Sequence, residues 1–411
     1  MPRHRSIDNP NPTRVMSRNG PTRSPRHLVN RWAIPIAAWL LSTAVIWTTA
    51  QWAGVDFWNP ASRQRWDSQW YLSIAQGPYE SFRCIDRYPT FPDVWCGNTA
   101  WFPGYPVAIR LVAAFGIPLN TAAIVVTSAC LLGSFALLWR LLDARLTWAS
   151  ALAMALASVF SGVIYFHVDF PTSMCLLGLL ILTWGVRNES WVVAGVGAFV
   201  ALSTHLVGAI GLAALALSVT FGWRRYAWPG RLWRVGSAVT LGALAYPWTM
   251  LLIHAGTGSW TIYWEHQREA YGNAELHNPI EEIQRFWDTP FGALYPPDPN
   301  STWLVTHSLA AHQSQLLINL ALAALIATTF IWRLTHHDLS AWEVLAALVA
   351  LGAVAVPLLS GAWSAWYRHN AMMLVALPVL RLPRYAWLAA VAIFAAQAVL
   401  LGGMWFGGAL V

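Results

Sequence analysis

Long uninterrupted apolar runs set the terms for this chain, among them Trp32 to Thr49 and Asn120 to Leu142. Each approaches or exceeds the roughly 18 to 20 residues that a helix needs to cross a bilayer. Composition agrees, with 57% of the 411 residues hydrophobic and only 10% charged, far below the roughly one-quarter charged content of soluble domains. The expected class is all-α, a polytopic integral membrane protein.

The formal net charge of +7 matters through its location. Residues 1–31 carry Arg3, Arg5, Arg14, Arg18, Arg23, Arg26 and Arg31 against a single Asp8, separated by Pro, Ser and Asn. Such a segment has too little apolar content to fold. It reads as a disordered basic tail that holds the N-terminus in the cytoplasm and attracts anionic lipid. No aromatic interleaving or folded basic surface accompanies the arginines, so nucleic acid is not an expected partner. The apolar run after the tail lacks a small-residue cleavage site and reads as an uncleaved first span.

With the tail inside, a first span near residues 32–54 leads outward, and residues 55–118 form a long external segment. Within it, Pro103 to Gly116 is apolar but only 14 residues long, short for a crossing and suited to an interfacial helix. Counting it as a span would move every later basic cluster to the outside. Spans near 120–141, 147–166 and 171–185 then keep Arg140, Arg145 and Arg187 inside. The apolar stretch Trp191 to Gly222 is too long for one crossing and suits two short ones hinged at Thr204-His205. A span near 236–254 opens a second external segment, 255–311, on the same face as the first. Spans near 312–332, 341–360, 371–380 and 385–404 complete a bundle of roughly eleven helices. Residues 32–411 are thus expected to form one transmembrane domain. No inverted repeat of the transporter kind is visible, and most of the 27 tryptophans suit interfacial belts.

The four cysteines divide by location. Cys130 and Cys175 lie in apolar spans, where cysteine acts as a small hydrophobe. Cys84 and Cys96 lie in the first external segment and can pair as a disulfide if that segment faces an oxidising space. No CxxC or Cys/His metal spacing is present.

The most pointed polar residues fall on the external face. Asp67 sits in Arg65-Trp66-Asp67-Ser68-Gln69-Trp70-Tyr71, on a short amphipathic helix at the lipid boundary. Partial burial there raises the cost of a charge unless a partner or a reaction requires it. Two readings stand side by side: a salt bridge with Arg63 or Arg65, or a general base that removes a proton from a sugar hydroxyl. Arg368, next to His369 at the outer end of a span, is either an interfacial anchor or a guanidinium that grips a phosphate. His167 with Asp169, His205, and the group His266 to Arg268 also face outward. They leave a divalent ion open, but without a helical His-x-x-x-His pair no obligatory metal or other cofactor is expected.

The boxes Trp66-Asp67-Ser68 with Tyr71-Leu72-Ser73-Ile74-Ala75, Gly77-Pro78-Tyr79-Glu80 and Ala100-Trp101-Phe102-Pro103-Gly104-Tyr105-Pro106 resemble the PIG-V family, the GPI mannosyltransferase II group. The likeness continues more weakly through Asp169-Phe170-Pro171-Thr172-Ser173, Tyr263-Trp264-Glu265-His266-Gln267 and Trp366-Tyr367-Arg368. It implies a GT-C-like bundle with juxtamembrane helices in the first external loop, and a polyprenyl- or dolichyl-phosphate-linked mannose donor. It also implies that Asp67 is the catalytic base. Two departures bear on the acceptor: Thr204-His205-Leu206-Val207-Gly208 stands where the family often has Arg-x-x-Gly after a Thr. Met174, Cys175 and Leu176 stand where it has an acidic residue.

The resulting expectation is an inverting mannosyltransferase in a bacterial plasma membrane, of actinobacterial type, with its active site extracytoplasmic. Its partners would be a polyprenyl-phosphate sugar donor, a glycolipid, lipoglycan or protein acceptor, and membrane lipids. Asp67 is the catalytic candidate, and Arg368 with His369 the donor phosphate candidates. Trp66, Ser68, Tyr71, Tyr105, His205, Trp264 and Gln267 are the candidate substrate contacts. An alternative keeps the fold and changes the sugar, for example to arabinofuranose. A transporter or lipid flippase would instead require ionisable residues near mid-span and discontinuous helices in paired halves.

Overall fold

A computed structural model describes residues 25–221, 228–272, 275–288, 302–336, 339–361 and 366–407. Residues 1–24 of the basic tail lie outside the described residues. The first helix, α1 (Pro25–Trp52), starts on a proline, which suits a first turn because its missing N–H would have no helical partner there. Residues 25–31, expected as part of the unstructured tail, therefore belong to the helix.

The chain then makes a short 3-10 turn, Pro60–Arg63, and enters α2 (Ser68–Gln76). A two-stranded antiparallel hairpin follows, β1 (Ser81–Arg83) and β2 (Trp95–Gly97), with Phe82 opposite Cys96 and α3 (Cys84–Arg87) between the strands. Next come α4 (Gly104–Ala113), α5 (Leu119–Leu141), α6 (Trp148–Ser158), a 3-10 segment Ser161–Phe166, α7 (Thr172–Arg187), α8 (Trp191–Thr204) and α9 (Gly208–Phe221). After them lie α10 (Trp228–Ala243), α11 (Ala245–Thr257), α12 (Ile262–Tyr271) and α13 (Pro279–Asp288). The last third comprises α14 (Thr302–Thr335), α15 (Ala341–Leu359), α16 (Trp366–His369), a 3-10 segment Asn370–Val379 and α17 (Arg384–Phe406).

Among the described residues, six helical stretches are long and apolar enough to cross a membrane: Arg31–Trp52, Leu119–Leu141, Leu232–Thr257, Ala311–Thr335, Ala341–Leu359 and Arg384–Phe406. The protein is an all-helical, polytopic membrane protein with one small hairpin. Several other apolar stretches form shorter helices, including α4, α6, α7, α8 and α9. The expected span at 147–166 is divided into α6 and a 3-10 segment. The expected span at 371–380 is not an α-helix. It lies in the 3-10 segment Asn370–Val379, buried along its whole length by other parts of the protein. A 3-10 helix rises about 2.0 Å per residue against about 1.5 Å in an α-helix, so the tighter winding lets a short segment reach further.

The run Trp191 to Phe221 divides at His205, whose backbone is extended with φ of −157°. At Gly208 the turn doubles back so tightly that a Cβ would lie 2.3 Å from the Ala201 carbonyl carbon. α7 and α8 pack backbone to backbone along small residues. A Cβ on Gly197 would lie 2.3 Å from the Leu182 nitrogen, and one on Gly185 would lie 2.4 Å from the Ala194 nitrogen. Helices in lipid gain by such close approach, since apolar side chains find little advantage in each other over lipid tails.

Polar groups also enter the bundle. His312, Gln315 and Asn319 recur along one face of α14 and are fully buried. His312 Nδ1 pairs with the Tyr367 hydroxyl, and Asn319 Nδ2 donates to Ser161 Oγ at 3.4 Å. Beside them Gln397 of α17 donates to the Ala311 carbonyl at 2.8 Å and accepts from Ser314 Oγ at 3.0 Å. Near the other end of α14, buried Arg333 meets Glu343 in the first turn of α15 at 2.7 Å, and Glu343 also closes a capping box with Ser340.

The close approach of α7 and α8 gives a direct test. Gly197→Val forces the two backbones apart and is expected to cost about 2 kcal/mol, read as a lower thermal unfolding midpoint in detergent. Gly236→Ala, where a Cβ meets nothing within 4 Å, is expected not to lower it.

Candidate functional site

The segment leading to Asp67 is pinned at every step. Asn59 Oδ1 accepts from the Ala61 N–H at 3.0 Å and starts the 3-10 turn. Arg63 is 4% exposed. It donates through Nε to the Phe57 carbonyl at 2.9 Å, and its guanidinium carbon lies 3.7 Å from the centre of the Phe57 ring. Gln64 donates to the Asp169 carboxyl at 2.9 Å, and the Asp169 N–H donates to the Arg63 carbonyl at 3.3 Å. Burial pushes the Asp169 carboxyl up to about 7, with Gln64 and Arg63 pulling the other way. Arg65 donates to the Phe406 carbonyl at 3.0 Å. Both arginines considered as partners for Asp67 are therefore turned to backbone carbonyls.

Trp66 has φ of +51°, a left-handed conformation that is strained for a bulky residue. It turns the chain into α2. Asp67 stands at the N-cap position, yet its side chain makes no cap hydrogen bond. Instead its carboxylate accepts from the Arg368 guanidinium, 301 residues away in sequence. The Asp67 and Arg368 side chains are 18% and 16% exposed. Arg368 also lies 5.4 Å from the Phe170 ring centre, and its Nε has no hydrogen-bond partner within the protein.

Asp67 and Arg368 line a cavity of about 180 Å³, more than ten times the roughly 10–15 Å³ that one water needs. Its lining combines two chemistries. Thr204, His205, Ser360 and His369 add polar groups to the ion pair, while Tyr71, Trp101, Phe102, Tyr263, Trp264 and Tyr271 supply aromatic rings. Gln267 also lines it and donates to the Ala100 carbonyl at 3.4 Å. Burial, then the charge of Asp67, pushes the Tyr71 phenol well above its ordinary range, so it is present as neutral O–H.

Most of the aromatic lining comes from the segment after the hairpin, with Trp101 and Phe102, and from α12, with Tyr263, Trp264 and Tyr271. A disulfide joins Cys84 to Cys96. Beyond β2, Asn98 Nδ2 donates to Ser73 Oγ at 3.1 Å, and Thr99 Oγ1 lies 2.9 Å from His266 Nδ1. Burial drives the His266 imidazole down to about 4, leaving it neutral at pH 7 between the rings of Trp101 and Tyr271. Phe102 stacks on Tyr263 with centroids 5.5 Å apart. From α4, Arg110 donates to the carbonyls of Ala75, at 2.7 Å, and of Ile74 and Gly77, satisfying the C-terminal end of α2.

Of the expected site residues, Asp67, Tyr71, His205, Trp264, Gln267, Arg368 and His369 converge on the cavity. Three others do not line it. Tyr105 is fully buried, its hydroxyl bonded to Thr127 Oγ1 at 2.9 Å and the Ala123 carbonyl at 3.2 Å. Ser68 is fully buried and accepts from the Arg65 N–H at 3.3 Å. Trp66 packs on the main core and shapes the turn. These three hold the scaffold because their polar atoms or rings are consumed by it. His369 reaches the cavity, but as a ring kept neutral by burial, then by neighbouring His205 and Arg368, so a phosphate would find its charge partner in Arg368.

Four aromatic contacts were not among the candidates: Trp101, Phe102, Tyr263 and Tyr271. Tyr263, Gln267 and Tyr271 recur every four residues, a helical face that periodicity makes readable. Thr204 and Ser360 have no comparable signal. Among the described residues, no three His, Cys, Asp or Glu side chains group together in a way that could hold a metal ion. In comparison with known proteins, no family model matches the chain and no curated sequence matches it.

The hairpin offers a test of how the aromatic lining is held. Replacing Cys84 and Cys96 together by Ser is expected to cost about 2–3 kcal/mol by freeing the loop between them, measured by thermal unfolding. The same variant should raise proteolytic cutting between residues 85 and 95 under non-denaturing conditions.

Proposed function

We propose that this protein is an inverting glycosyltransferase of the GT-C type, which moves a sugar from a polyprenyl-phosphate carrier to a glycolipid, lipoglycan or protein acceptor. The observation that carries the reading is the Asp67–Arg368 pair in a cavity large enough for an organic group. It sets a proton acceptor beside a cation that has a donor to spare.

The chemistry follows from those two groups. Asp67 accepts the proton of an acceptor hydroxyl as its oxygen attacks the anomeric carbon from the face opposite the phosphate. The new oxygen–carbon bond forms while the bond from the anomeric carbon to the phosphate oxygen breaks. The electron pair stays on the carrier phosphate, where the Arg368 guanidinium offers paired hydrogen bonds to the developing charge. Arg368 can turn toward that phosphate through its remaining donors as the carboxylate takes up the proton. The aromatic lining supplies flat apolar surface for a sugar ring or the first isoprene units.

The motif likeness around Asp67 and Trp101 favours mannose, and an arabinofuranose donor keeps the same fold and base. The arginines of the tail and the basic residues at 140, 145, 187, 333 and 381 support a cytoplasmic N-terminus and an extracytoplasmic site in the plasma membrane. A disulfide in the hairpin suits that side.

Transfer from a lipid-linked mannose in isolated membranes tests the reading. Asp67→Asn is expected to lower turnover by about 10²–10⁴-fold, and Arg368→Gln by about 10²-fold or more. Both are compared at equal amounts of protein eluting as a single peak. Turnover equal to the parent in Asp67→Asn would remove the base assignment. Labelling of single cysteines placed between residues 86 and 93 is expected only from the outer side, and labelling from the cytoplasm would overturn the topology.

A further inference from the structure

His205 and His369 both line the cavity and meet edge to face, with ring centroids 4.9 Å apart. They come from different parts of the chain, the break between α8 and α9 and the end of α16. The Val207 N–H donates to His205 Nδ1 at 3.2 Å, so that nitrogen carries no proton and Nε2 is left as the donor. His369 is 7% exposed, and neither ring nitrogen has a hydrogen-bond partner within the protein. A neutral imidazole offers one donor and one acceptor. Left without partners, such buried groups are costly.

The charge state narrows what can satisfy them. Burial first, then Arg368, lowers the His205 imidazole to about 3. Burial, His205 and Arg368 lower His369 well below its ordinary value. Neither ring supplies positive charge near pH 7. A phosphate accepts only from donors and prefers cations, whereas a hydroxyl both donates and accepts. Arg368, one residue before His369, is the cationic side chain among the described lining residues.

We infer that His205 and His369 form a hydroxyl-recognising subsite, which takes an uncharged, polyhydroxylated sugar ring while the carrier phosphate lies against Arg368. The inference rests on the glycosyltransferase reading and divides the cavity by chemistry. The imidazole pair accounts for recognition of the sugar, and Arg368 for recognition of its anionic handle. The two histidines are specificity residues, with Asp67 retaining the proton transfer.

Binding of farnesyl phosphate and farnesyl-phosphate mannose to the detergent-solubilised full chain tests this. In the parent the mannosylated lipid is expected to bind more tightly. His369→Phe, which keeps the ring and removes both nitrogens, should lose about tenfold on the mannosylated lipid and leave farnesyl phosphate unchanged. Arg368→Gln should weaken both. If the subsite serves the acceptor instead, His369→Phe loses binding of methyl mannoside to protein saturated with farnesyl phosphate and keeps the mannosylated lipid. Either pattern supports hydroxyl recognition and identifies the ring's source. Equal weakening of both lipids by His369→Phe, or no effect on any sugar-bearing probe, overturns the subsite alone. A parent that binds neither lipid overturns the carrier reading and the subsite with it. Farnesyl phosphate binding also reports whether the variant is folded.

Discussion

The contact between Asp67 and Arg368 closes a loop of 301 residues, and much of the architecture serves to make that contact possible. Both side chains are more than four-fifths buried, where charges are costly unless paired. Asp67 makes no helix cap: its backbone is itself helical, with φ of −61° and ψ of −18°, and its carboxylate is taken by Arg368. Arg368 arrives from the opposite direction, on one turn of helix wedged between α15 and a fully buried 3-10 segment. Removing either partner leaves the other charge stranded, a loss of about 3–5 kcal/mol in comparable buried pairs. The pair is thus a structural tie as well as the candidate reaction centre.

Much of the helical framework was legible from length and polarity. The division of 191–221 followed from a run too long for one crossing, and the structure breaks it at His205. The hairpin disulfide joins the two cysteines that lie outside the apolar runs. The segment at 371–380 was less readable, since an apolar run looks the same whether it faces lipid or protein, and hydropathy carries no mark of 3-10 winding. The start of α1 was also displaced, because arginines and a proline are compatible with a helix that extends beyond the apolar run.

The site was readable in its charges and much less so in its walls. Asp67 stood out at the lipid boundary, Arg368 at the outer end of a span and His205 at the hinge of an overlong apolar stretch. Their pairing could not be read, since local spacing favoured Arg63 or Arg65. Tyr105 and Ser68 belonged to recognisable boxes, yet their hydroxyls are committed to Thr127 and the Arg65 backbone. Nearness to Asp67 or to a recognisable sequence box marks a residue only as a candidate, and packing distinguishes contact from support. The four-residue period of Tyr263, Gln267 and Tyr271 on α12 was readable as a helical face, but the abundance of tryptophan and tyrosine at membrane boundaries gave it no mark of a site.

The buried polar face of α14 bears on how such a bundle is assembled. His312 finds a partner in Tyr367 and Asn319 in Ser161, and neighbouring Ala311 and Ser314 engage Gln397. Ser161 precedes α14 in the chain, but Tyr367 and Gln397 follow it. During synthesis α14 therefore emerges with three of these four contacts still unmade. Hydrocarbon cannot supply them, so the stable resting place of this helix is against protein. The last third of the chain is bound to settle as a cooperative unit, with residues 366–397 completing the insertion of a helix made before them.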